Sequence, residues 1–133
     1  MMLFDEVKSG LKEHLKNSAY TPVLKTFASG DTFPYVVIEK SNDFEGSTDL
    51  QRFNVIDSLE IEINIFAKKK VEGVKTISNR SVAIEIEEHI KNYFRELGFK
   101  RTYDKPTPNL DMEVYRITMR FRVNANTRRN YFI

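Results

Sequence analysis

The feature that most constrains this chain is the strict alternation in residues 58–67. Leu59, Ile61, Ile63 and Ile65 recur at every second position, with Glu60, Glu62 and Asn64 between them. Side chains of a strand project to opposite faces with a period of two, so this stretch carries one isoleucine face and one polar face. We assign a strand to 53–67 on this basis. Residues 112–124 repeat the pattern, with Tyr115, Ile117, Met119, Phe121 and Val123 on one side and Arg116, Thr118, Arg120 and Arg122 on the other. Val114 breaks the phase, which marks a bulge or the start of that strand. An apolar sheet face needs a cover, and the rest of the chain supplies helices.

Residues 2–16 place Leu3, Val7, Leu11 and Leu15 at intervals of four, with Phe4 beside the first, the stripe of an amphipathic helix. Gly10 falls inside it at a cost of about 1 kcal/mol relative to alanine, so packing holds the helix or a close neighbour needs the space. A longer helix spans 76–97, striped by Val82, Ile86, Ile90, Tyr93 and Leu97, with Thr76 or Ser78 as N-cap and Gly98 after its end. Its Glu85, Glu87 and Glu88 read as a solvated acidic face. Shorter strands are expected at 35–39, entered through Pro34, and at 99–104. Residues 105–109 read as a turn, because Pro106 and Pro108 cannot pair inside a sheet. The polar segment 41–49 reads as a long hairpin loop or arm.

The expected fold is therefore α+β: a mainly antiparallel four-stranded sheet with two helices packed on one face, in the order α-β-β-α-β-β. With 133 residues, a single domain over 1–125 followed by a basic, then aromatic, tail at 126–133 accounts for the chain.

Chemistry is conspicuously thin. The chain has no cysteine, which removes disulfides, thiolate catalysis and cysteine-ligated metal. His14 and His89 lie on different helices and lack the two-histidine spacing of a zinc helix. Phosphate-cradling glycine loops and nucleophile elbows are missing as well. Asp43, Glu45 and Asp49 have a calcium-like look without the twelve-residue loop that calcium needs. Neither an enzymatic activity, a metal nor a cofactor is expected. No apolar run reaches the roughly 18 residues of a membrane span, and the N-terminus turns acidic at Asp5 without an apolar core, so neither a membrane nor export is expected. The 21 Lys and Arg against 19 Asp and Glu leave a net charge of +2, far from a strongly basic nucleic-acid binder.

What remains is surface. Lys68, Lys69 and Lys70 form a basic patch at a strand end, opposite in sign to Asp43, Glu45 and Asp49. The tail ends in Tyr131, Phe132 and Ile133, an apolar tip that docks on its own core or on a neighbouring copy. These nine residues are the candidate subunit-interface positions. Glu60 and Glu62 opposite Arg116, Arg120 and Arg122 form a charged sheet face.

The layout resembles that of small phage tail-terminator, or tail-completion, proteins. The similarity runs through Phe33-Pro34-Tyr35-Val36-Val37-Ile38, the long strand Ser58 to Ala67, the helix through Ile84 to Ile90, and the final strand Val114 to Val123. It covers nearly the whole chain as a pattern of elements and includes no catalytic signature. The resemblance implies a non-enzymatic virion component, made in the bacterial cytoplasm and placed at the head-proximal end of a phage or prophage tail. Such proteins form a ring, commonly of six copies, that stops the tail tube and receives the head connector, with DNA passing through a charged lumen. Partners would then be other copies, the tube protein and the connector. A ring needs a head-to-tail interface, and the acidic segment against Lys68, Lys69 and Lys70 of the next copy is the expected pairing. Two other readings are a head–tail connector, stopper or joining subunit, and a nucleic-acid-binding domain using the arginine row, for which Phe66 is the only stacking aromatic expected on that face.

Overall fold

The computed structural model describes residues 2–27, 32–48, 55–126 and 131–132. In chain order the elements are α1 (Met2–His14), β1 (Val23–Lys25), β2 (Tyr35–Thr48), β3 (Val55–Ala67), β4 (Lys70–Glu72), β5 (Lys75–Ile77), α2 (Asn79–Glu96), β6 (Lys100–Thr107), β7 (Tyr115–Asn126) and β8 (Tyr131–Phe132). The main sheet is six-stranded and mixed, ordered β1-β2-β3-β7-β6, with β8 also pairing β7. A separate hairpin joins β4 to β5.

This corrects the expected four-stranded antiparallel sheet and its α-β-β-α-β-β order. Four short strands (β1, β4, β5 and β8) have no counterpart in the expected fold, because two or three residues carry no readable period. β1 pairs parallel to β2, Val23 opposite Tyr35 and Lys25 opposite Val37. Gly73 at φ +61 opens the two-residue connection from β4 to β5, the geometry of a type II′ turn. Residues 41–48 are not a loop, since β2 pairs with β3 all the way to Thr48 opposite Val55. Two register shifts, at Lys40/Asn42 and Glu45/Ser47, interrupt the ladder and hide the alternation from a pattern reading. Nor is 105–107 a turn: Pro106 sits in β6 opposite Ile117. β6 lies at the sheet margin, where a missing N–H can face outward without breaking the ladder. Part of the tail is sheet as well, with Phe132 opposite Ala125 and Tyr131 opposite Asn126 of the same chain.

One core holds α1, α2 and one face of the sheet together. Val7, Leu11 and Leu15 of the first helical segment, Val82, Ile86, Ile90 and Phe94 of α2, and Leu59, Ile61, Ile63, Ile65, Ile117, Met119 and Phe121 of the strands are all buried in it. The end of α2 is locked by a Schellman motif. Gly98 takes φ +86, its N–H donates to the Arg95 carbonyl, and the Phe99 N–H donates to the Phe94 carbonyl at 3.0 Å. The accompanying apolar contact is Phe99 edge-on to Phe94, ring centres 5.1 Å apart. At the other end the Ser78 hydroxyl accepts from the Ser81 N–H at 3.1 Å, which settles the N-cap on Ser78.

The acidic run on α2 is more than a solvated face. Glu85 accepts from the Ser18 hydroxyl at 2.7 Å and from the Ala19 N–H at 3.1 Å, and pairs with His89 Nε2 at 2.9 Å. Glu87 reaches β6 instead. Lys91 Nζ lies 3.7 Å from Glu87 and 3.1 Å from Asp104, and Asp104 Oδ1 is buried without a hydrogen-bond partner. Burial, a hydrogen bond to Asp104 and the charge of Asp104 push the Glu87 carboxyl up to about 7, against the pull of Lys91. A proton on Glu87 gives Asp104 its donor. The folded-state value lies above the unfolded one, so the folded state takes up this proton first and gains stability as pH falls from about 8 towards 5. With partial solvent screening the gain is about 1 kcal/mol. Glu87→Gln is expected to remove it: denaturant titrations at pH 8 and pH 5 should show the wild type gaining on the variant, and a constant difference would refute the assignment.

Candidate functional site: the open sheet face and the lysine end

The register of β2, β3, β7 and β6 arranges the face opposite the helices in rows. Tyr35, Phe66, Arg116 and Thr107 form the first, and Val37, Asn64, Thr118 and Lys105 the second. Glu39, Glu62, Arg120 and Tyr103 form the third, and Glu60, Arg122 and Lys100 the fourth. Acids therefore fall on β2 and β3, and cations on β7 and β6. The expected charged face exists, with Glu60 facing Arg122 and Glu62 facing Arg120 in the ladder. The Arg120 Nε donates to Glu62 at 3.0 Å, a half-exposed pair worth about 0.2–1 kcal/mol.

At the centre lies a polar network that alternation alone did not disclose. Asn64 is only 4% exposed, and its carbonyl oxygen accepts from Arg116 Nε at 3.0 Å and from the Thr118 hydroxyl at 2.7 Å. The Thr118 oxygen is in turn paired with the Thr107 hydroxyl. Because Thr118 donates to Asn64, the Thr107 hydroxyl is the donor to Thr118. This chain ties β3, β7 and β6 into one register, since each buried polar group depends on the next strand for its partner.

Four aromatic rings sit on or beside this face, more than the single Phe66 that the sequence led us to expect. Tyr35 stacks on Phe66 with ring centres 4.8 Å apart, and Phe33 leans on Tyr35 at 5.2 Å. Val37 and Val114 complete this small second core. Each ring carries a cation: Lys25 over Tyr35 at 4.5 Å, Lys68 over Phe33 at 4.7 Å, Arg116 over Phe66 at 5.2 Å and Arg120 over Tyr103 at 5.0 Å. Burial pushes the Tyr35 phenol up against the pull of Arg116. Tyr35 and Phe66 are buried and roofed by these cations, so they offer no free face on which a nucleic-acid base could stack.

Lys68, Lys69 and Lys70 follow β3 at one end of the sheet. Lys68 and Lys69 line a groove with Thr76, Ser78, Asn79 and Glu113, and the Asn79 amide donates to the Glu113 carbonyl, tying the start of α2 to the loop before β7. Lys70 lies 5.2 Å over Tyr20 and 3.8 Å from Glu72. Apolar side chains that no pattern singled out stand exposed in the turns that adjoin Thr76 and Glu113 in sequence. Val74, at the tip of the β4–β5 hairpin, and Leu110 are fully exposed, and Met112 is 92% exposed. Isolated apolar residues in turn-rich segments were the available signal.

Asp43 and Glu45 lie on β2 opposite Leu59 and Asp57 of β3, so they sit towards the other end of the sheet from Lys68. At about 3.3 Å per residue the separation along β3 is roughly 30 Å. The acidic and lysine segments therefore cannot meet within one copy, and side-by-side copies would need an axial stagger of similar size to join them. Asp49 and Ile133 lie outside the described residues, so their part in the expected interface has no structural account.

His14 and His89, far apart in sequence, come together with ring centres 6.0 Å apart where α1 meets α2. Among the described residues no group of three His, Cys, Asp or Glu side chains is placed to hold a metal ion. No helix among them is long and apolar enough to cross a membrane. No protein-family model matches the chain, and no curated protein matches it significantly.

Proposed function

We propose that this chain is a non-enzymatic assembly subunit that caps the tube of a phage or prophage tail as a ring of six copies and prepares it for head attachment. Its place is the head-proximal end of the tail, and its partners are other copies, the tube protein and the head connector. The observation that carries this reading is the lysine end. Val74 stands in the turn just before groove residue Thr76, and Leu110 and Met112 in the segment just before groove residue Glu113, each almost wholly exposed. Exposed large apolar side chains in turns that lead into a lysine-lined groove support a contact with another protein at this end. A cap needs such a pole, because it meets the tube end-on while its flanks meet its neighbours. The resemblance to tail terminators supplies the identity of the tube.

Electron microscopy of tails assembled with and without the protein tests the reading. Tubes of uncontrolled length in its absence are expected, and Val74→Asp with Leu110→Asp should reproduce that defect without lowering thermal stability. Tails of normal length that lack heads would overturn capping in favour of a joining or stopper role. Tight binding of single-stranded DNA, with affinity falling steeply as salt rises, would instead favour the nucleic-acid reading.

A further inference from the structure

The main sheet has two open margins, and each is blocked over part of its length. On one side β1 covers only Tyr35–Val37 of β2. Past Val37 no strand among the described residues runs along the outer side of β2, which continues to Thr48. On the other side β6 is the margin, and Pro106 removes a donor from its far part, leaving 100–104 with a full backbone complement. An unpaired strand margin is a ready template for another strand.

Three properties match the two open stretches to each other. Their charges are opposite: residues 38–48 hold Glu39, Asp43 and Glu45 against Lys40, whereas 100–104 hold Lys100 and Arg101 against Asp104. Their directions are opposite too. β2 is antiparallel to β3, β3 to β7 and β7 to β6, so β6 of one copy beside β2 of another extends the same antiparallel sheet. Finally, they lie at the same height. Ile38, Ile63, Met119 and Asp104 share one row, and Asn42, Glu60, Arg122 and Lys100 share another. Copies related by rotation with no axial rise thus bring 38–42 beside 100–104, the condition for a closed ring rather than a filament.

We infer that successive copies join laterally by strand addition, residues 100–104 of β6 in one copy pairing with 38–42 of β2 in the next. The inference rests on the ring reading and replaces the contact between Lys68–Lys70 and the acidic segment as the lateral interface, leaving the lysine end free to face the tube. The bulge at Lys40/Asn42 and the one at Arg101/Tyr103 add local twist at both margins. Only a strand with matching twist pairs well there, which limits indiscriminate aggregation.

The cysteine-free chain allows a direct test. Copies bearing Glu39→Cys or Lys40→Cys, mixed with copies bearing Lys100→Cys or Thr102→Cys, are treated with a short bismaleimide at concentrations where light scattering shows assembly. Cross-links between the two kinds of copy are expected in at least fivefold excess over those within either kind. Charge reversal supplies a second measurement. Glu39→Lys with Asp43→Lys, or Lys100→Glu with Arg101→Glu, should each weaken self-association at least tenfold, and mixing the two reversed proteins should restore it. Circular dichroism melts confirm that each variant is folded. Assembly without mixed cross-links, or cross-links predominantly from β2 to β2, would overturn the interface while leaving the capping role standing. A protein that neither assembles nor cross-links at any concentration would overturn it as well. Tail length in the deletion strain judges the capping role separately.

Discussion

Phe94→Ala is expected to destabilise the fold by about 3–5 kcal/mol. Phe94 is fully buried near the end of α2. Its ring stacks on Phe121 of β7 with centres 4.2 Å apart and planes 11° from parallel, and meets Phe99 and Tyr93 edge-on at 5.1 and 5.3 Å. Truncation therefore loses the transfer energy of the ring, opens a cavity between helix and sheet, and removes three aromatic contacts together. It also strips the Schellman motif of its apolar partner, since Phe99 packs on Phe94 where the chain leaves α2. Against a total stability of about 5–15 kcal/mol, the variant should melt roughly 10–20 °C lower, or fail to fold. Phe94→Leu keeps most of the volume and guards against the second outcome, with an expected loss of about 1–2 kcal/mol. A loss below 1 kcal/mol for Phe94→Ala, measured by urea titration, would mean that the helix–sheet contact is not packed as described.

The second large effect is one of sign. Gly10→Ala would ordinarily stabilise a helix by about 1 kcal/mol, yet here it is expected to destabilise by about 1–2 kcal/mol. A Cβ on Gly10 would lie in the place of the Tyr93 hydroxyl, so α1 and α2 could not keep their approach. That hydroxyl donates to the Val7 carbonyl at 2.8 Å, and burial pushes its pKa up to about 12, so it stays protonated and a donor through neutral and mildly alkaline pH. In a Tyr93→Phe background the nearest atoms to the new Cβ would be ring carbons at 3.3 and 3.5 Å, which a small shift accommodates. There Gly10→Ala should be neutral or stabilising, giving a coupling of about 1–3 kcal/mol in a double-mutant cycle. Equal costs in the two backgrounds, within about 0.3 kcal/mol, would remove Tyr93 as the reason for the glycine.

Both cases show where a reading of the chain stops. The stripe of α1 identified its buried face, and Gly10 stood out as a residue that packing or a neighbour had to explain. Which neighbour could not be read, because Tyr93 lies 83 positions away and comes to Gly10 only when α1 and α2 pack on the same sheet. The same division runs through the candidate surfaces. The alternation in 58–67 and 115–123 placed Glu60, Glu62, Arg116, Arg120 and Arg122 on one face, because a period of two is a local property of strand backbone. The partners on that face were another matter. Tyr35 joins it through the pairing of β2 with β3, and Tyr103 through a pairing of β6 with β7 that a bulge shifts by a residue.

By itself, then, the sequence determined periodicity, caps and breaks: two amphipathic helices, the N-cap at Ser78 among two candidates, the glycine after α2, and the inner faces of β3 and β7. Each follows from backbone geometry acting over a few residues. Tertiary structure alone decided that the sheet is mixed and six-stranded, that Pro106 is tolerated because its strand lies at a margin, and that 41–48 is strand and not loop. It also decided that the acidic and lysine segments lie towards opposite poles. Strand order, register and relative height depend on which distant segments share a ladder, and that choice is made by the packing energy of the whole core.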